Sequence, residues 1–209
     1  MTVHDHFLLP ALLALATTAC GASAPAMHDD RPPYRPNPHP QQAYRVTVTV
    51  RDAPGPFAEV MADAGYQITD WTCLPPAETF SGVQTTPITE GLPLAPTRTP
   101  TGEHVAVFYV DGMAEADYFG HGVCRWMFNS VIFTFRATGA PGETTFIAHL
   151  PAKDLTHPAG VTHYYWKGGY PREDIDDFPD SGFTDPLRYK PELRDELFSI
   201  TLKAEALTP

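Results

Sequence analysis

Short runs that alternate between apolar and polar side chains constrain this chain more than any other feature. Residues 44–50 alternate without exception, with Tyr or Val on one face and Arg or Thr on the other. This period of two predicts a β-strand that buries one face. Similar strand patterns occur at residues 57–68, 103–110, 123–136, 144–150, 161–166 and 197–204. With one helical turn at 192–196, the pattern predicts an all-β fold, an antiparallel β-sandwich of immunoglobulin-like or related type with long loops and little helix.

Four segments carry more detailed expectations. Residues 57–68 fit either a helical stripe or a strand face, and the strand-like composition of residues 66–71 favours the strand. Residues 103–110 are apolar on both faces, which is typical of a central strand. Residues 74–102, rich in Pro, Thr and Gly, are expected to form a long loop or short edge strands. In residues 123–136, one face is predicted to hold Cys124, Trp126, Phe128 and Ile132, and the other Val131, Phe133 and Phe135.

The N-terminus has the pattern of an export signal. The apolar run at residues 7–19 is too short to span a bilayer, which needs about 20 residues, but it has the length of a signal-peptide core. Cys20-Gly21 follows a small residue and resembles the lipobox of bacterial lipoproteins, in which the Cys becomes the first residue and carries acyl chains such as palmitate. Thr17 stands where an aliphatic residue is usual, and residues 1–6 hold no Lys or Arg. The alternative is cleavage after an Ala-x-Ala site, at residues 22–24 or 24–26, which would release a soluble secreted protein.

This pattern predicts three regions. Residues 1–19 would be a signal peptide, residues 20–43 a lipidated Cys with a Pro-rich tether, and residues 44–209 the β-sandwich domain. Prolines favour an extended chain of about 3 Å per residue, so the tether would hold the domain several tens of Å from the membrane. We therefore expect a periplasmic protein that is lipid-anchored to the inner or outer membrane.

Composition and charge limit the partners. The 209 residues include 12 Phe, 9 Tyr and 3 Trp, an aromatic content that disordered chains lack. The formal net charge of −11 argues against a nucleic-acid partner, because phosphate backbones are bound by clustered Lys and Arg.

The three cysteines agree with export. If Cys20 carries the lipid, Cys73 and Cys124 remain as one pair, and an oxidising periplasm would let them form a disulfide. Neither lies in a CxxC motif, and His121 three residues before Cys124 is a weak metal signal. Gly120 and Gly122 around His121 predict a tight turn with positive φ, whose simplest role is to aim Cys124 at Cys73.

No motif predicts catalysis. The sequence contains no GxSxG, HExxH, GxGxxG or GxxxxGK pattern, so we expect no catalytic residue and no enzyme activity. His149, His157 and His163 would form a metal triad only if their strands were neighbours, and their spacings of eight and six residues match no standard zinc pattern. We therefore predict no metal site and no cofactor.

Residues 167–191 form the segment richest in potential binding residues. Acidic side chains cluster there among aromatic ones. The candidate partner-binding residues are Tyr170, Glu173, Asp174, Asp176, Asp177, Phe178 and Asp180. The carboxylates are a possible calcium site, but their spacing does not fit the EF-hand pattern. A carboxylate pair for glycoside hydrolysis and a plain solvated loop are further interpretations. Long ordered loops on a β-scaffold commonly carry binding, and aromatic residues are favoured at interfaces. This supports an interaction loop over residues 167–190, with residues 111–122 as a second candidate segment.

Four segments resemble landmarks of a group of small, mostly uncharacterised exported lipoproteins of Gram-negative bacteria. They are residues 52–57, 117–126, 169–173 and 191–202. The architecture is similar to that of periplasmic immunity lipoproteins, which neutralise antibacterial effectors. This resemblance implies an inhibitor of a cell-wall-targeting effector, and the acidic charge would steer such an inhibitor towards a basic cell-wall hydrolase. The alternatives are a structural or small-molecule-binding envelope lipoprotein and, third, a metal-dependent hydrolase.

Overall fold

A computed structural model describes residues 34–75 and 87–208 of the chain. All of these residues belong to one compact unit, which begins at Pro32. The predicted signal peptide, Cys20 and the first part of the predicted tether lie outside the described residues.

Ten β-strands and five short 3-10 helices make up the described residues. The strands are β1 (Ala43–Arg51), β2 (Glu59–Ile68), β3 (Thr89–Leu94), β4 (Thr97–Arg98), β5 (His104–Tyr109), β6 (Trp126–Arg136), β7 (Thr145–Pro151), β8 (Val161–Trp166), β9 (Pro179–Asp180) and β10 (Leu197–Ala206). The 3-10 helices are Trp71–Cys73, Ala152–Asp154, Lys167–Gly169, Pro186–Arg188 and Pro191–Glu196. Within these described residues, no helix has the length and apolar character that a membrane span requires.

The strands form two five-stranded sheets that pack as a sandwich, which confirms the predicted fold class. The strand orders are β4-β5-β1-β10-β8 and β3-β2-β6-β7-β9. All pairs are antiparallel except the short parallel pair of β7 and β9. Strand β2 confirms the strand interpretation of residues 57–68, and β3 and β4 are the short pieces expected within 74–102.

The core between the sheets is dominated by aromatic side chains. Phe133 and Phe146 point inward from one sheet, and Phe108, Tyr165 and Phe198 point inward from the other. All five are essentially inaccessible to solvent. Burying one such side chain stabilises a fold by about 1.5–3 kcal/mol relative to leaving it exposed, so this layer is a main source of stability.

A bulge in β6 changes the faces predicted for that strand. Gly65 lies opposite Ser130 and Tyr66 opposite Phe128, so Asn129 is an extra residue without its own partner. An inserted residue reverses the alternation of side chains beyond it. Phe128 and Phe133 are therefore both buried, while Ile132 is only partly buried. The prediction that Phe128 and Ile132 share a face is wrong for this reason.

Strand β5 is not the central strand that its composition predicts. Its outer neighbour is the two-residue strand β4, and β1 and β10 occupy the inner positions of the sheet. Val107 and Tyr109 on its outer face are 45% and 36% exposed. The apolar character of this outer face therefore reflects a partly exposed surface and not burial between two layers.

Residues 34–42 pack against the domain, although the sequence assigned them to the tether. The Asn37 N–H donates to the Gly112 carbonyl at 2.8 Å. The Asp111 carboxylate accepts hydrogen bonds from the N–H groups of Gln41 at 2.8 Å and Gln42 at 3.0 Å. The ordered domain thus begins before residue 44.

The disulfide between Cys73 and Cys124 is present, as predicted. Both cysteines are buried with Ile68 and Leu74 in a small cluster separate from the main core. The bond therefore fastens the end of β2 to the start of β6 outside the sandwich layer.

Replacing Cys73 and Cys124 together by Ser should lower the free energy of unfolding by about 4 kcal/mol, because the bond closes a loop of about 50 residues in the unfolded chain. Urea unfolding of the variant and of the wild-type protein measures this difference. Reduced wild-type protein is the control and should match the variant. Equal urea midpoints for the variant and the oxidised protein would show that the cluster alone fixes this end.

Candidate functional site

The part of the predicted interaction loop that holds the seven candidate residues, residues 170–180, crosses from one sheet to the other. It follows β8 and the 3-10 helix Lys167–Gly169, and it ends in β9 at the edge of the second sheet. Tyr170 anchors its start: its hydroxyl donates to the Pro56 carbonyl at 2.6 Å, and its ring packs edge-on against Phe57 at 5.5 Å. The loop therefore begins on the aromatic core.

The base of the loop is hydrogen-bonded to the turn between β6 and β7. Arg172 donates to the Pro141 carbonyl at 2.7 Å, and the Glu173 N–H donates to the Thr144 hydroxyl at 2.9 Å. On the return side, the Thr145 N–H donates to the Phe178 carbonyl at 2.8 Å. Both ends of the loop are thus fixed to the same turn.

Asp177 is a structural part of this base. Its backbone has a φ of 55°, a conformation that a short polar side chain tolerates better than most. Its carboxylate accepts from the Gly142 N–H at 2.8 Å and from the Arg136 guanidinium at 3.3 Å. Gly142 has a φ of 80°, and a Cβ there would collide with the Arg172 guanidinium. Asp177 therefore holds the loop on the turn.

Glu143 organises the turn itself, and the sequence analysis missed it. Its buried carboxylate accepts from the Thr138 hydroxyl at 2.7 Å and from the N–H groups of Thr138 at 2.9 Å and Gly139 at 3.0 Å. Burial acts to raise the pKa of this carboxyl, but these hydrogen bonds and the Arg136 charge outweigh it and lower the pKa below its usual 4.5. Its position in a Gly-rich turn, five residues after Thr138, was the available signal.

Asp180 is also committed within the fold. Its carboxylate accepts from the Gly182 N–H at 2.8 Å. Burial raises the pKa of Asp180 and the nearby charge of Glu173 adds to the increase, although the Gly182 hydrogen bond acts in the opposite direction. This carboxylate is therefore engaged by the backbone of the segment that follows the loop.

The tip of the loop consists of Asp174, Ile175 and Asp176, and all three are exposed. Ile175 is 65% exposed and, with Leu187, is one of the two most exposed large apolar side chains among the described residues. The Asp176 Oδ1 lies 3.7 Å from the Arg172 Nη1. Exposed ion pairs of this kind contribute little to the free energy of unfolding. Of the seven predicted binding residues, Asp174 and Asp176 lie at the tip, and Tyr170, Glu173, Asp177, Phe178 and Asp180 form its support.

The glycine-containing turn before Cys124 lies far from this loop. Gly120 and Gly122 have φ values of 76° and 110°, as predicted, and the Asp117 carboxylate accepts from the Gly120 N–H at 2.6 Å. The turn leads into the start of β6, whereas the loop contacts Arg136 at its end. Eleven residues of strand span about 33 Å, so the two segments do not form one surface.

The three candidate histidines do not converge. The rings of His149 and His163 are 4.7 Å apart, but His157 lies in a turn where its N–H donates to the Asp154 carbonyl. Throughout residues 34–75 and 87–208, no group of three His, Cys, Asp or Glu side chains has a geometry that could hold a metal ion.

Two cavities lie between the two sheets, one near each side of the sandwich. One, of about 370 Å³, lies between β3 and β5 and is mostly apolar. The other, of about 350 Å³, lies between β7 and β8 and is lined by histidines and charged residues. Each cavity combines residues distant in sequence, so periodicity gives no signal for either.

Comparison with known proteins adds no relative. No protein-family model, curated protein or solved structure matches this chain. The candidate sites therefore depend on the geometry of the described residues.

Replacing Glu143 by Gln should destabilise the protein at pH 7, and this loss of stability should be smaller at pH 3. The folded-state pKa of Glu143 lies below the unfolded one, so its contribution is complete above about pH 4.5 and is lost as the pH falls through the folded-state pKa. Urea unfolding at both pH values measures the difference. The exposed Glu192→Gln variant is the control, and an equal loss of stability at pH 3 and pH 7 would refute a role for the charge.

Proposed function

We propose that this protein is a non-enzymatic binding protein of the bacterial periplasm, anchored by a lipid on Cys20. In this proposal it acts as an immunity-type inhibitor of a basic cell-wall hydrolase. Its binding element is the loop tip formed by Asp174, Ile175 and Asp176.

The observation that carries the proposal is an exposed apolar side chain on a fixed support. Ile175 is 65% exposed between two carboxylates, while hydrogen bonds from both ends of the loop hold its base. A loop already held in place loses little conformational entropy on binding. Apolar anchors with a charged rim are typical of protein interfaces.

Charge supports a basic partner. The chain carries 25 acidic and 14 basic residues. Both carboxylates of the tip are exposed, and Asp176 forms only an exposed ion pair with Arg172. Complementary charge accelerates association and disfavours acidic competitors. A basic hydrolase of the cell wall is a partner of that kind in the compartment to which the export pattern points.

Affinity capture from an envelope extract tests this function. The double variant Asp174→Lys with Asp176→Lys should retain at least about tenfold less basic cell-wall hydrolase than the wild-type protein, since two favourable charge contacts become repulsive. The control is Glu192→Lys with Asp195→Lys, which makes the same charge change at exposed residues of the 3-10 helix Pro191–Glu196.

The control should capture hydrolase as the wild-type protein does, and the wild-type protein should inhibit the captured enzyme. Equal capture by both double variants would remove the loop tip from the proposed function. Captured hydrolase that remains fully active would exclude an inhibitor.

The apolar cavity supports a second candidate, a small-molecule-binding envelope protein. Its walls include Leu92 and Leu94 of β3 and Val107 and Phe108 of β5, and Tyr66 closes its inner end. The volume of about 370 Å³ lies in the range of ligand pockets, about 300–1,000 Å³.

An environment-sensitive dye, whose fluorescence increases in apolar surroundings, would measure such binding. Val107→Arg should abolish the fluorescence increase, because Val107 lines the cavity and a charge there disfavours an apolar ligand. Met61→Arg is the control, since Met61 is similarly exposed, at 47% against 45% for Val107, but does not line the cavity. Equal dye binding by both variants would argue against the cavity as a ligand site.

A further inference from the structure

The second cavity has a chemistry that the proposed function does not use. It lies where β8 of one sheet approaches β7 of the other, and the segment 181–184 covers it. Its volume is about 350 Å³. The lining residues with polar or charged side chains are His149, Lys153, Asp154, His163, Ser181, Thr184 and Arg188.

Two cations line this cavity without a carboxylate partner. Among the ion pairs between described residues, none involves Lys153 or Arg188, although the chain has an excess of acidic residues. The Arg188 guanidinium lies over the Phe183 ring, 4.1 Å from its centroid. This stacking orients the guanidinium and leaves its N–H groups available to a ligand.

A buried imidazole forms the inner wall. His163 is 2% exposed, and its Nδ1 lies 3.2 Å from the Ser181 carbonyl oxygen. Its Nε2 lies 2.9 Å from the His149 carbonyl oxygen and 3.3 Å from the His149 backbone nitrogen. His163 of β8 therefore connects β7 with the segment 181–184, and these contacts hold this wall of the cavity in place.

His149 supplies a ring that can respond to a ligand. It is half-buried, and burial together with the neighbouring His163 lowers the pKa of His149 below its usual 6.5. The other charged groups that line the cavity with it are Lys153, Asp154 and Arg188. An anion bound there would stabilise the protonated form of His149 and raise its pKa.

We propose that this cavity binds a small oxyanion, a carboxylate or a phosphate group, through Arg188 and Lys153. The guanidinium offers paired N–H donors that match two oxygens of either group, and Lys153 adds a second positive charge. Asp154 supplies an acceptor for an O–H or N–H group of the same ligand. This binding goes beyond the proposed inhibition and does not depend on the loop tip.

Imidazole NMR signals test the proposal. Inorganic phosphate and sodium acetate are titrated separately into the purified protein at pH 7, with sodium chloride holding the ionic strength constant. At least one probe should shift the His149 signal in a saturable way and raise the His149 pKa. Stronger binding of phosphate would identify a phosphate ligand, and stronger binding of acetate a carboxylate ligand.

Variants assign the effect to the cavity. Arg188→Gln and Lys153→Gln should each weaken binding about tenfold, since each loses one charge-assisted contact. Arg45→Gln is the control, because it removes the same charge from an exposed site on β1. Lys153 and Arg188 are both exposed, so neither substitution removes a core side chain. Non-saturable shifts with both probes, or equal binding by all three variants, would overturn the proposal.

Discussion

Hydrogen bonds from buried aromatic side chains to strand edges join the two sheets of this sandwich. Tyr66 of one sheet donates its hydroxyl to the Tyr109 carbonyl at 2.5 Å, and Tyr165 of the other donates to the Ile147 carbonyl at 2.8 Å. Burial raises the pKa of Tyr66 to about 12, with Asp111 adding to the shift, so its hydroxyl remains a donor at physiological pH. Outer strands expose backbone groups that must be satisfied or covered, and these side chains satisfy them inside the protein.

Residues that join the two sheets also line the two cavities. The buried Tyr66 lines the apolar cavity, and the buried His163 lines the polar one. Each cavity is therefore a space between the two sheets that lies next to one of the residues joining them. Their chemistry differs because leucines of β3 line one, whereas Lys153 and Arg188, from segments that follow β7 and β9, line the other. Fold stability and potential binding thus depend on the same edges.

The alternation of apolar and polar residues predicted the sandwich, because a strand with one buried face has an apolar side chain at every second position. The alternation of residues 44–50 matches the buried Val46 and Val48 of β1, and the pairing of Cys73 with Cys124 followed from counting thiols. The prediction from alternation failed at the β6 bulge. The unpaired residue Asn129 reverses which side chains of β6 face the core, and the composition gives no sign of this. The polar cavity could not be predicted, because it forms only when β7 and β8 meet.

Composition also could not separate structural carboxylates from free ones. Glu143, Asp177 and Asp180 accept hydrogen bonds from backbone N–H groups within the fold, whereas Asp174 and Asp176 remain at the tip. The net charge of −11 would repel an oxyanion at long range, but at physiological ionic strength such fields decay over about 8 Å. Within the polar cavity, contacts with Arg188 and Lys153 act at shorter distances. The exposed carboxylates at the tip and the cations of the cavity can therefore bind different ligands on one acidic protein.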